Sequence, residues 1–79
     1  MKNINVILKQ MRGTGRFYDK INQSDMISYS RSGGYHTLTI HYDIGTKRRK
    51  TEGFDSYLWN EVEGFIRRRF DFYCNRKTQ

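Results

Sequence analysis

The 79-residue chain contains no proline, no alanine and a single cysteine, Cys74. One thiol excludes a disulfide within the chain and favours a reducing, cytoplasmic setting. Two histidines and one cysteine, at positions 36, 41 and 74, lack the spacing of a zinc site, so neither a metal nor another cofactor is expected. The run Gly13-Thr14-Gly15 is too short to be a nucleotide-binding loop. No apolar stretch approaches a membrane span, and the one that ends at Leu8 falls short of a signal-peptide core. Asn22-Gln23-Ser24 matches the glycosylation sequon, which carries no weight in a cytoplasmic chain. Codons for proline and alanine are GC-rich. Their absence alongside many Asn, Lys and Ile suits an AT-rich genome such as that of a phage or a low-GC bacterium.

Acid is the other shortage. Asp and Glu number 8 against 15 Lys and Arg, which leaves a net charge of +7. The length allows one small domain, residues 1–79, with 75–79 read as a frayed tail. Hydrophobic residues make up 35% of the chain, and aromatics at 15% supply the bulk that alanine does not. The chain reads as folded, with a thin core.

The residue pattern predicts an α+β domain: a small antiparallel meander of about three strands, packed against a long C-terminal amphipathic helix, with a short N-terminal helix. Ile4, Ile7, Leu8 and Met11 lie at helical spacing, with Asn3 as N-cap and Gly13 as stop, although Ile4, Val6 and Leu8 also alternate as a strand would. Arg12 to Arg16 reads as a flexible basic link, and Phe17 to Ile21 as either strand or helical turn. A hairpin follows, with strands Met26 to Ser30 and Tyr35 to Asp43 joined by Ser32-Gly33-Gly34. In its second strand His36, Leu38, Ile40 and Tyr42 share the core face, and Tyr35, Thr37, Thr39 and His41 the outer one. Asp43 to Thr46 turns the chain into a third strand, Lys47 to Glu52, which holds no apolar residue. The helix is expected over Phe54 to Tyr73. Asp55 or Ser56 would cap it, Phe54 and Trp59 would form a hydrophobic staple, and Leu58, Trp59, Val62, Phe65, Ile66, Phe70 and Tyr73 would form its buried stripe. Gly64 within it suggests a close packing contact.

Two basic clusters stand out, Lys47-Arg48-Arg49-Lys50 on the third strand and Arg67-Arg68-Arg69 on the helix, with Arg12, Arg16 and Arg31 in loops. Arginine's planar fork suits phosphate oxyanions. A solvated face explains a run of charges equally well in general, but four consecutive cations exceed what protecting a sheet edge requires. The helix cluster has a simpler explanation, since helix C-termini favour cations. If Tyr35 and His41 face outward beside the basic strand, they would form a stacking and phosphate platform for unpaired bases. The site expected from sequence is therefore Lys47, Arg48, Arg49, Lys50, Arg67, Arg68, Arg12, Arg16, Arg31, Tyr35 and His41.

Three functions fit. The first is a non-enzymatic nucleic-acid-binding protein with a slight preference for RNA or single strands. The second is a phage-type inhibitor that puts the basic surface into an acidic nucleic-acid groove of a host protein. The third is a toxin-like ribonuclease using His36. That histidine, after Gly33-Gly34-Tyr35, resembles the strand-borne histidine of the HicA toxin family over a few residues. The Gly-Ser-His core of that family is absent, so no function is carried across. His36 and His41 face opposite sides of one strand, which disfavours an acid/base pair. A homodimer is also expected, covering apolar surface around Trp59, Phe65, Phe70, Phe72 and Tyr73.

Overall fold

The computed structural model describes residues 3–70. Six elements follow one another: α1 (Ile4–Thr14), β1 (Arg16–Lys20), β2 (Met26–Ser32), β3 (Tyr35–Tyr42), β4 (Lys50–Ser56) and α2 (Trp59–Arg69). The four strands form one antiparallel sheet in chain order, β1-β2-β3-β4. The sheet therefore has four strands where the sequence pattern predicts about three. The additional one is β1, in which only Phe17 is buried, so it shows none of the alternation that marks a half-buried strand.

The N-terminal segment is helical, as its spacing predicts. The Asn3 side chain accepts a hydrogen bond from the Asn5 N–H at 2.8 Å, and Ile7, Leu8 and Met11 are buried. The helix runs past Gly13 and stops at Gly15, whose φ of 72° permits its N–H to close on the Met11 carbonyl. The stretch from Arg12 to Arg16 is thus helix, cap and first strand residue rather than a flexible link.

The hairpin forms where the Gly-Gly pair places it. Gly33 and Gly34 both have positive φ, 58° and 79°, the requirement of a two-residue turn that matches strand twist. His36, Leu38, Ile40 and Tyr42 are all buried on one face of β3. The next strand differs from expectation. β4 starts at Lys50, and Lys47 to Arg49 belong to the preceding loop. The physical reason is Phe54, which pairs with Leu38 across the sheet and stacks on Phe65 at 4.8 Å. A strand in this register gains apolar burial that Lys47–Glu52 lacks.

Because β4 takes Phe54 to Ser56, α2 begins later than predicted and no Phe54–Trp59 staple forms. Neither Asp55 nor Ser56 is the N-cap. Ser56 instead organises the turn before the helix, its Oγ accepting from the Leu58 N–H at 3.0 Å and donating to Glu61 at 2.5 Å. Val62, Phe65, Ile66 and Phe70 face the sheet and are buried, whereas Leu58, predicted to be buried with them, is 56% exposed. A side chain at Gly64 would meet only the end of Arg68, so that glycine marks no close approach of another element. Phe72, Tyr73, Cys74 and the tail lie outside the described residues.

Both helices pack on the same side of the sheet, over Phe17, Ile27, Tyr29, Leu38, Ile40, Tyr42 and Phe54. The opposite side carries no other element among the described residues.

Candidate nucleic-acid interface

Residues 43–49 form the loop between β3 and β4. Positive φ at Asp43 (53°) and Gly45 (85°) turns the chain tightly. Thr46 holds the turn, its hydroxyl donating to the Asp43 carbonyl at 2.8 Å and accepting from the Arg48 N–H at 3.1 Å. The root of this loop is fastened to the β1–β2 turn. Asp25 is fully buried, and its carboxylate accepts from the Asp43 N–H at 3.0 Å and from the Asn22 side-chain amide at 2.8 Å. The Ile44 N–H donates to the Ser24 carbonyl at 2.8 Å. Lys47, Arg48 and Arg49 therefore project from an anchored loop. All three are exposed, and none forms a salt bridge among the described residues. Lys50 differs: it pairs with Tyr42 in the sheet and its ammonium lies 5.3 Å from the Tyr42 ring, on the helix-bearing side.

A second group of cations gathers at the other end of the sheet. Arg12, in the last turn of α1, stacks over Trp59 at 5.6 Å. Arg31, at the end of β2, donates a long hydrogen bond (3.4 Å) to the Arg12 carbonyl and lies over Gly15, where a Cβ would sit 3.1 Å from its guanidinium. Arg16 opens β1 beside them. These three also have no salt bridge among the described residues. Six residues of β3 separate the two ends, about 20 Å at strand rise. The expected single track is thus two clusters.

The helix arginines are mostly engaged. Arg67 donates to Glu63 at 3.0 Å and to Asn5 of α1 at 3.1 Å. Arg69 makes a bidentate pair with Glu52, 2.8 Å in both contacts, and Tyr42 donates its hydroxyl to the same carboxylate at 2.9 Å. The Arg69 bonds hold the Glu52 carboxyl below the usual carboxylate range, against the opposing effect of burial. Arg68 is exposed and has no salt bridge among the described residues.

Tyr35 and His41 do lie on the outer face of β3, at its two ends. The basic strand expected beside them does not: Lys47 to Arg49 are in the loop and Lys50 points to the other side. The Tyr35 hydroxyl donates to Asp55, which raises the phenol above its ordinary range and sets a negative charge beside the ring. Sequence reasoning left out Tyr18. It is 77% exposed on β1, with Arg16 and Lys20 two residues to either side on the same face. Its signal was the alternation of Arg16, Tyr18 and Lys20, readable only once this segment is known to be a strand.

His36 is 5% exposed on the core face. Its Nδ1 is 2.7 Å from the Tyr29 hydroxyl, and its ring lies 5.9 Å from Tyr29 and 5.7 Å from Trp59. Burial lowers its pKa, and the Arg31 charge adds to this. A base so enclosed is badly placed to reach a ribose hydroxyl. Among the described residues no group of three or more His, Cys, Asp and Glu side chains could hold a metal ion, and no helix is long and apolar enough to cross a membrane. No protein-family model matches the chain, and neither the curated proteins nor the solved structures contain a significant match.

Proposed function

We propose that this protein binds nucleic acid, without catalysis, through phosphate contacts made by its two cationic ends. The observation that carries the reading is the set of six exposed cations, Arg12, Arg16, Arg31, Lys47, Arg48 and Arg49, without a salt bridge among the described residues. A fold this small that pairs Arg67 and Arg69 with carboxylates, yet leaves these six without one, retains Coulombic self-repulsion that a polyanion relieves. The loop cations have a fixed root at Asp25, so little order need be gained on binding. RNA or other single strands are the preferred ligand in this reading, because a flexible backbone can follow two clusters about 20 Å apart. A cytoplasmic setting accompanies it, on the strength of the single cysteine.

The test is fluorescence anisotropy with labelled single-stranded and duplex probes of RNA and DNA at two salt concentrations. Binding is expected to weaken steeply with salt, and replacing Lys47, Arg48 and Arg49 together by Ala should flatten the log–log slope by about 2–3. Absence of binding to every probe below about 10 µM at low salt would overturn the reading. A stoichiometric acidic protein retained after nuclease treatment would then assign the same cations to an inhibitor.

A further inference from the structure

The uncovered side of the sheet has a pattern of which the nucleic-acid reading uses only Arg16. Strand register arranges three rows running from β1 to β4, with Ser32 and Tyr35 forming a shorter row beyond them at the β2–β3 end. The first is Arg16, Ser30, Thr37, Asp55; the second is Tyr18, Ser28, Thr39, Gly53; the third is Lys20, Met26, His41, Thr51. Each row is lopsided. The first has a cation at the β1 end and a carboxylate at the β4 end. The second has Tyr18, the most exposed large hydrophobic side chain among the described residues, at one end and no side chain at the other. The space over Gly53 is open, since the only atom near a Cβ there is the Leu38 carbonyl at 3.8 Å, in ordinary contact.

We infer that this face is a docking surface for a second copy of the same chain. A two-fold axis lying between two such sheets and parallel to their strands keeps each row opposite itself and reverses its direction. Arg16 of one copy then faces Asp55 of the other, and Tyr18 enters the space above Gly53 of the other; each contact occurs twice, as an isologous interface requires. Strands of the two sheets would lie within about 30° of each other, the aligned packing of β-sandwiches. The small hydroxylated residues between these ends, Ser28, Ser30, Thr37 and Thr39, let the faces approach. Four strands about 4.8 Å apart and some six residues long give a footprint on the order of 400 Å² per copy, the scale of a weak, concentration-dependent dimer. Because the axis preserves position along the strands, both 43–49 loops emerge at the same end of the dimer. The interface stands on register, charge and shape, and does not depend on the proposed ligand.

Sedimentation velocity of the full chain from about 1 µM to about 500 µM tests this directly. The protein should shift from monomer to dimer across that range; a monomer throughout overturns the inference. Gly53→Phe should remain monomeric throughout with a melting temperature no lower than the parent's, because a Cβ there meets its own chain only at the Leu38 carbonyl, in ordinary contact at 3.8 Å, and an aromatic residue suits a strand, while the ring fills the space that Tyr18 of the second copy needs. Arg16→Glu alone and Asp55→Lys alone should each be monomeric, and an equimolar mixture should recover the dimer, since both cross-pairs become attractive only in the mixed species. Dimerisation of Gly53→Phe at wild-type strength, or a mixture no more dimeric than its components, refutes the proposed face. A monomeric protein in which Tyr18→Ala weakens probe binding would identify the face as a base-stacking surface instead, and the self-docking inference would fall while the nucleic-acid reading stood.

Discussion

Replacing Asp25 by Ala probes the joint between the basic loop and the rest of the fold. The carboxylate is fully buried, and among its partners are the Asp43 N–H and the Asn22 amide. Its removal leaves both without that acceptor in a part-buried joint, at up to about 1–3 kcal/mol for each donor left unsatisfied. The combined loss is about 2–6 kcal/mol, against a total of about 4–12 kcal/mol for a domain of this length. With about 4–8 °C of melting temperature per kcal/mol, Asp25→Ala should melt roughly 8–48 °C below the parent. Asp25→Asn should fall between the two. Asn22 cannot turn its amide to compensate, because its Oδ1 already accepts from the Ser24 and Asp25 N–H groups, each at 2.8 Å. The one acceptor oxygen of an asparagine side chain at this position would then serve only one of the two donors. Circular dichroism melts of the three proteins are the assay. An Asp25→Ala melt within about 3 °C of the parent would refute the assignment of the carboxylate as an irreplaceable acceptor.

Two further outcomes separate the structure from simpler readings of the sequence. Ile66→Ala, in the core beneath α2, should cost about 2–5 kcal/mol, while Leu58→Ala, on a side chain 56% exposed, should cost less than about 0.5 kcal/mol; equal losses in urea titrations would restore Leu58 to the core. The pKa of His36 is lowered by burial and by Arg31, so at mildly acid pH the unfolded chain binds the proton more readily than the fold. The stability of the neutral ring is full above pH ~6.5 and is lost as pH falls below it. Melting temperature should therefore decline from pH 7 to pH 5, and His36→Gln should flatten that decline. Glu52, held low by Arg69, contributes its own loss only below about pH 4.3, outside that window.

Where one local pattern has one physical explanation, the sequence and the structure agree. The β2–β3 hairpin was legible because four alternating residues of β3 are buried on one face and a Gly-Gly pair supplies the turn. The N-terminal segment, by contrast, suited both a helix and a strand, and the Asn3 cap with Ile7, Leu8 and Met11 buried at helical spacing decides for the helix. Phe54 was ambiguous: its position suits a helix staple and a strand equally, and only its stacking on Phe65 and pairing opposite Leu38 decide for the strand. That one choice moved the start of α2, freed Leu58 from the core and displaced Lys47 to Arg49 from strand to loop. β1 could not be read because a strand with one buried residue has no period. The cations were visible as composition, but their engagement was not. Glu52 and Asn5, which bind Arg69 and Arg67, are 17 and 62 residues away in sequence.

A sheet whose strands neighbour one another in the order in which they are synthesised has a kinetic consequence. Each strand pairs with the next across a short connection, so no strand waits for a distant partner and little chain entropy is lost in closing each loop. The distant meeting of α1 and α2, joined by Asn5 and Arg67, can follow as the last event. Such a chain can build most of its sheet before its second helix has left the ribosome, with the helix closing over a surface already in place.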